Sequence, residues 1–322
     1  MTRRFWAPGR VNLIGEFTDL AGGVALPAAL DLGITLVTEA AETIELRSRE
    51  LDECVSLAAD GSGEATGFGR YVSGVASELA LLGRPPVGLR GELSSTLPIG
   101  AGLSSSAALE IVVGIALCAV ADFELEPLEL ALAAQRAVHR AVGVPSGILD
   151  EAACLFGRAG QAVLFDFTSL EHELVTIPEG VSLVIAASGV SRRLEHSGYA
   201  TRKRELEAGM PSRVRHLETE NIRVRQVVEA LRANDLERVG ELFREGHESL
   251  RVDFEVSIPE LDRLVDWAYE HGAYAARMTG GGFGGAIVAL VADEDAAAFA
   301  GRIPGRAWVS AASDGAREVV EA

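Results

Sequence analysis

Three short stretches of this 322-residue chain combine residue types at spacings that can do chemistry. In GAGLSSSAALE, residues 100–110, two glycines and three consecutive serines run straight into an apolar segment. Such a loop can turn successive backbone N–H groups and a helix N-terminus onto phosphate oxygens, binding an anion without a lysine. A serine hydroxyl in it could also ligate the Mg²⁺ that accompanies ATP. The plainer alternative is a glycine turn with Ser104 as N-cap. The loop is not a dinucleotide-binding fingerprint, because Ser105 stands where that motif needs its third glycine. In GRVNLIGEFTDLAGG, residues 9–23, Arg10, Glu16 and Asp19 crowd a strand-like VNLIG. Carboxylates with several acceptor lone pairs are what a sugar pocket needs, although a solvated loop with a surface ion pair fits the same residues. The third stretch, MTGGGFGG at 278–285, places five glycines in six positions before an apolar strand. That is costly in backbone entropy, so it marks either close approach of a loop or ligand or a flexible hairpin.

Alternating or β-branched runs at 34–40, 43–48 and 87–94 read as strands, and 68–82 has helical apolar spacing. The serine loop opens a helix that is apolar nearly all round, AALEIVVGIALCAVAD, of the kind buried in the middle of a domain. A second helix over 128–142 stops at Gly143 and Pro145. GQAVLFDF and HELVTIP read as a hairpin, VSLVIAAS as a strand, 199–271 as several amphipathic helices and ARMTGGGFGGAIVALVA as strand, loop, strand. Strands and helices are interspersed without strict βαβ alternation, so the class is α+β. The length implies two packed domains, with a boundary near residue 165 dividing 1–165 from 166–322 and a site in the cleft between them.

Composition removes several classes of function. A formal net charge of −18 disfavours nucleic-acid binding, and phosphate must be held locally. Lys203 is the only lysine and lies in the charged run TRKRE, which excludes the phosphate-binding lysine of Walker A loops and of protein kinases. No HExxH or GxSxG is present, so zinc hydrolysis and serine acylation have no foothold. Three unpaired-looking cysteines argue against a disulfide framework and fit a reducing cytoplasm. The segment MTRRFWAPGR lacks a signal peptide's apolar core and the longest apolar run, 111–121, is too short to cross a membrane, so a cytoplasmic monomer without membrane or nucleic-acid partners is expected.

In this order the three stretches resemble the signature motifs of the GHMP kinase superfamily, and APGRVNLIGEFTDLAGGVALP resembles that of galactokinases within it. GRYVSGV, GVPSGILDEAA and SRRLEHSGYATRKRELE are similar to further galactokinase segments, so the likeness covers essentially the whole chain. The resemblance implies a two-domain GHMP kinase architecture, with an N-terminal domain like ribosomal protein S5 domain 2 and a ferredoxin-like C-terminal domain. It implies ATP and Mg²⁺ as cofactors and phosphorylation of the anomeric hydroxyl of galactose or a galactose-like sugar. By position, Arg10 and Asp150 fall on the catalytic Arg and Asp. Glu16, Phe17, Asp19, Gly147 and Tyr199 fall on sugar-contacting positions. Gly100, Ala101, Gly102, Leu103, Ser104, Ser105, Ser106 and Ala107 would hold the ATP phosphates, with Ser105 or Ser106 near Mg²⁺.

Three positions depart from the galactokinase pattern. Phe17 stands for a histidine at the hydroxymethyl end of the sugar and Leu20 for a tyrosine, an apolar wall that would tolerate L-arabinose or a 6-deoxygalactose. Val138 stands where many relatives carry a Mg²⁺-binding glutamate, so the ion would lean on serine, ATP oxygens and water. A non-catalytic sugar sensor on the same scaffold is the rival from another class; intact GLSSSAA, Arg10 and Asp150 argue against it.

Overall fold

The computed structural model describes residues 1–98, 100–143, 147–190 and 198–320; parts of two segments singled out above, 144–146 and 191–197, lie outside them. The first half contains β1 (Arg3–Asn12), β2 (Val24–Ala25), β3 (Pro27–Ala41), β4 (Thr43–Ser48), β5 (Glu53–Ala58), α1 (Gly69–Leu81), β6 (Gly88–Ser95), α2 (Ser105–Val120), α3 (Pro127–Val142), α4 (Leu149–Phe156), β7 (Gln161–Asp166) and β8 (His172–Thr176). The second half contains β9 (Val181–Ala187), α5 (Tyr199–Glu207), α6 (Pro211–Arg232), α7 (Leu236–Val252), α8 (Pro259–Glu270), β10 (Ala275–Thr279), β11 (Ala286–Ala292), α9 (Asp293–Arg302), β12 (Ala307–Ser310) and β13 (Arg317–Glu318).

A mixed sheet in the order β13-β1-β3-β6-β4-β5 carries the first half, with β4 parallel to β6 and the other pairs antiparallel. α2 packs on its central strands β1 and β3 and is flanked by α1 and α3. This sandwiched position is why α2 is apolar on every side, with Ala108, Ile111, Val112, Val113, Ala116 and Leu117 fully buried. α3 starts on Pro127 and stops at Gly143, whose φ of 69° is the left-handed conformation that glycine adopts freely. β7 and β8 form a hairpin that pairs with β2.

The second half is an antiparallel sheet in the order β10-β11-β9-β12, with α6, α7, α8 and α9 among its helices. Read along the chain this is βαββαβ, the ferredoxin-like arrangement. The halves are joined by packing as well as by the chain. Thr279 of β10 accepts a hydrogen bond from the Asn12 backbone N–H at 2.8 Å and donates its hydroxyl to the Asn12 carbonyl at 3.0 Å. One core cluster runs from Phe5 to Ala312, and Phe17 sits in a second cluster whose other buried residues all lie beyond 180.

Candidate active site

Arg10 lies at an irregularity in β1, where the register against β3 shifts between Pro8 and Arg10. Gly9 is required there, because a methyl group on it would stand 2.6 Å from the Leu103 carbonyl oxygen. The close approach lets the Arg10 backbone N–H donate to Leu103 O at 3.2 Å. The buried guanidinium then donates through Nη1 to Gly102 O at 2.9 Å, and through Nε and Nη2 to Asp150 Oδ1 at 2.7 and 2.5 Å. Asp150 comes from the first turn of α4, and its other oxygen, Oδ2, accepts the Ser104 hydroxyl. Strand, serine loop and helix therefore converge on one carboxylate that remains one-third exposed while Arg10 is 6% exposed.

Ser104 occupies the N-cap position of α2 but does not cap it. Its φ is 57°, in the left-handed region, and its hydroxyl goes to Asp150. A non-glycine residue held there costs about 1–3 kcal/mol and persists where surrounding contacts over-determine it. The first-turn N–H groups of α2 are left without a side-chain cap from Ser104, which leaves them free to serve another acceptor. Ser105 and Ser106 follow on the first turn and line a pocket of about 260 Å³ whose walls include Ile34, Leu51, Phe68, Tyr71, Leu93 and Leu97. An apolar slot beside an uncapped helix head suits a purine with its phosphates on the loop.

The C-terminal glycines meet this loop. A methyl group on Gly102 would lie 3.9 Å from Gly285 Cα, one on Gly285 3.8 Å from Ala101 O, and one on Gly280 4.0 Å from Arg10 Nη2. Gly284, at φ 127°, would clash at 2.5 Å with Val190 O. The glycine run thus lies against the serine loop and is not a loose hairpin.

Asp19, on a short 3-10 helix Thr18–Ala21, lies against Gly147, where a methyl group would fall 1.7 Å from Asp19 Oδ2. Burial first, then the charge of Asp150, pushes Asp19 up to about 6 against the pull of Arg10 and Lys203. Arg10, Asp19, Gly147 and Asp150 are therefore brought together. Glu16 is placed differently: its Oε2 pairs with Nη2 of the fully buried Arg277 at 2.5 Å, and Nη2 also bonds Glu220 Oε1 at 2.7 Å. Burial pushes both carboxyls up. Glu220, with Arg277, His216 and Arg223 around it, is nonetheless held down to about 2, whereas Glu16, sharing one arginine with a second carboxylate, rises to about 7. Phe17, at φ 68°, packs its ring on Phe254 at 4.3 Å and on Tyr199 at 5.6 Å, with Leu20 at the margin of the same cluster. Val138 is buried on α3.

Three residues escaped sequence reasoning. Glu110 and Glu151 are buried, and among the described residues both Glu110 oxygens and one Glu151 oxygen lack a hydrogen-bond partner. Burial first, then the Glu151 charge for Glu110 and the neighbouring Asp150 charge for Glu151, drives both pKa values well up. The signal was present, since an acid inside an otherwise apolar helix is rare. Asn12 is buried two residues after Arg10 with its amide unpartnered among the described residues.

Comparison with known proteins shows the family. Residues 3–39 match the galactokinase galactose-binding signature, 70–158 the N-terminal domain of GHMP kinases and 227–309 their C-terminal domain. The chain is 37% identical over 311 residues to a galactokinase of Thermococcus kodakarensis, covering 89% of each chain. The chain belongs to the galactokinase family of GHMP kinases. A galactokinase of Pyrococcus furiosus is also 37% identical, over 90% of this chain and 89% of its own. The crystal structure of Lactococcus lactis galactokinase complexed with galactose superposes with a TM-score of 0.91 at 30% identity, covering 99% of this chain and 95% of that one. The fold extends beyond galactokinases: Methanococcus jannaschii mevalonate kinase gives a TM-score of 0.76 at 21% identity over 98% of this chain and 99% of its own.

Proposed function

We propose that this chain transfers the γ-phosphoryl group of ATP to the anomeric hydroxyl of galactose. The observation that carries the reading is the junction of Arg10, Ser104 and Asp150, which sets an accessible carboxylate beside a guanidinium at the head of an uncapped helix. Asp150 accepts or orients the proton of the sugar hydroxyl, whose oxygen attacks the γ-phosphorus as ADP leaves in line. Arg10 offsets charge on the transferring oxygens. Asp19, above Gly147, takes sugar hydroxyls as an acceptor, and Tyr199 closes the pocket beside it. Residues 100–107 hold the ATP phosphates through backbone N–H groups.

The donor set at the head of α2 fits Mg²⁺. Ser105 and Ser106 offer exposed and half-exposed hydroxyl oxygens, and hard oxygen ligands with several waters are what the ion takes. With an aliphatic Val138 on α3, and no group of three or more His, Cys, Asp or Glu placed to hold a metal among the described residues, the remaining ligands come from ATP and water. When bound, the ion neutralises charge on the phosphate oxygens.

The signature at 3–39 and the 37% identity to galactokinases favour galactose over L-arabinose or a 6-deoxygalactose, and an enzyme over a sugar sensor. The reading includes a cytoplasmic monomer divided near residue 165. No helix among the described residues is long and apolar enough to cross a membrane. The test is ADP release with Mg-ATP and galactose. Asp150→Ala is expected to lose about 10²–10⁴-fold in rate, and a variant within threefold of the parent would refute the assignment.

A further inference from the structure

Glu16 stands three residues before Asp19 in the same stretch, yet the two carboxylates meet different partners. Glu16 is 2% exposed, and both of its oxygens are engaged by the second half of the chain. Oε1 accepts the Gly280 backbone N–H at 3.4 Å, and Oε2 pairs with Arg277 Nη2 at 2.5 Å. Arg277 belongs to β10, and Gly280 follows that strand at the head of the glycine run. α6 holds the same turn of chain from another side: His216 Nε2 donates to the Glu16 carbonyl at 3.2 Å, and the Gly15 N–H donates to Glu220 Oε1 at 3.1 Å. The glycine run in turn lies on the serine loop, where a methyl group on Gly280 would stand 3.7 Å from Gly102 O and 4.0 Å from Arg10 Nη2. One carboxylate therefore links residues 9–23 to the backbone that rests against residues 100–107.

We propose that Glu16 is a positioning residue for ATP, its carboxylate holding Gly280 and Arg277 so that the glycine run is set against the serine loop. The inference rests on reading residues 100–107 as the holder of the ATP phosphates. Buried as it is, Glu16 leaves no room for a sugar hydroxyl. It is also poorly placed to stabilise the fold. Arg277 already has Glu220 at 2.7 Å, and burial, with Glu220 adding to it, pushes Glu16 up to about 7 against the pull of Arg277. A carboxyl whose pKa is raised by folding costs stability once the pH passes its ordinary value of about 4.3. What the carboxylate supplies is two acceptors on one rigid group. A glutamine could give its oxygen to Gly280 or to Arg277, but would turn its NH₂ donor toward the other.

The experiment compares Glu16→Gln with the parent protein. Binding of ADP alone and of galactose alone is measured by calorimetry, ATP KM and galactose KM by ADP release, and thermal melting at pH 5 and pH 8. Glu16→Gln should weaken ADP binding and raise ATP KM about fivefold, the loss of one hydrogen bond, with galactose affinity and galactose KM within about twofold. The variant should melt no lower than the parent at pH 8, where the parent carries the buried charge, and any gain should shrink at pH 5. Arg277 on β10 and Glu220, Arg223 and His216 on α6 are the same in both proteins, so that difference reports the carboxyl itself. A rise in galactose KM with ATP KM unchanged would make Glu16 a sugar contact. A lower melting temperature at pH 8, or failure to fold, would make it a structural pair, and either result overturns the proposal. If the parent binds no ADP, the reading of residues 100–107 falls. Amide exchange at Gly280, faster in Glu16→Ala than in the parent, still decides whether Glu16 holds the glycine run.

Discussion

Replacing Gly147 with alanine puts a methyl group where the Asp19 carboxylate already is. The added carbon would stand 1.7 Å from Oδ2 and 2.4 Å from Cγ, against the 3.4 Å of ordinary contact, so the carboxylate must retreat by about 1.7 Å. Position 147 is not among the residues with positive φ, so alanine adds no backbone strain and the effect is steric displacement alone. Misplacing a substrate-positioning group by about 1 Å costs on the order of 10²-fold. kcat/KM for galactose is therefore expected to fall about 10²-fold, with ATP KM little changed because the phosphate loop precedes α2 on another element. A coupled ADP assay beside a thermal melt reads both. Activity within threefold of the parent at an unchanged melting temperature would show that Asp19 does not position the sugar.

Two further substitutions test the buried charges. The Glu110 pKa is raised in the folded state, so above the ordinary carboxyl value of about 4.3 the unfolded chain releases a proton that the folded one keeps, and stability falls as pH climbs. Glu110→Gln should therefore raise the melting temperature more at pH 8 than at pH 5; an equal shift at both would sink the argument. Arg277→Met strips the cation from Glu16 and Glu220 in a fully buried site and should cost about 3–5 kcal/mol in urea unfolding. A loss below about 1 kcal/mol would mean the carboxylates find other partners or water.

Elements whose periodicity is local were legible. The helix after the serine loop, the stop at Gly143, the hairpin of β7 and β8 and the strand, loop, strand at the third glycine stretch all lie where the residues place them. β3 is longer than its readable portion, because 27–33 carries Pro27, alanines and Gly33 and shows no strand pattern. The site was legible as three motifs but not as contacts. Ser104 could be a phosphate-loop residue or a helix cap, and only its left-handed backbone turns the hydroxyl onto Asp150. Phe17 reads as a pocket wall, yet a left-handed φ folds its ring against Phe254, a residue far along the chain. Glu16 and Arg277 are 261 residues apart, and no local spacing announces a pair at that distance.

The chain passes between its two large sheets twice, out between β8 and β9 and back between β12 and β13, where β13 lies down beside β1. The threading is matched by the packing: one apolar cluster draws residues from both ends of the chain, Phe5 as well as Leu290 and Ala312, and Thr279 and Asn12 bond each other in both directions. The two sheets therefore share their interior, and a substitution in that shared layer is felt by both halves at once.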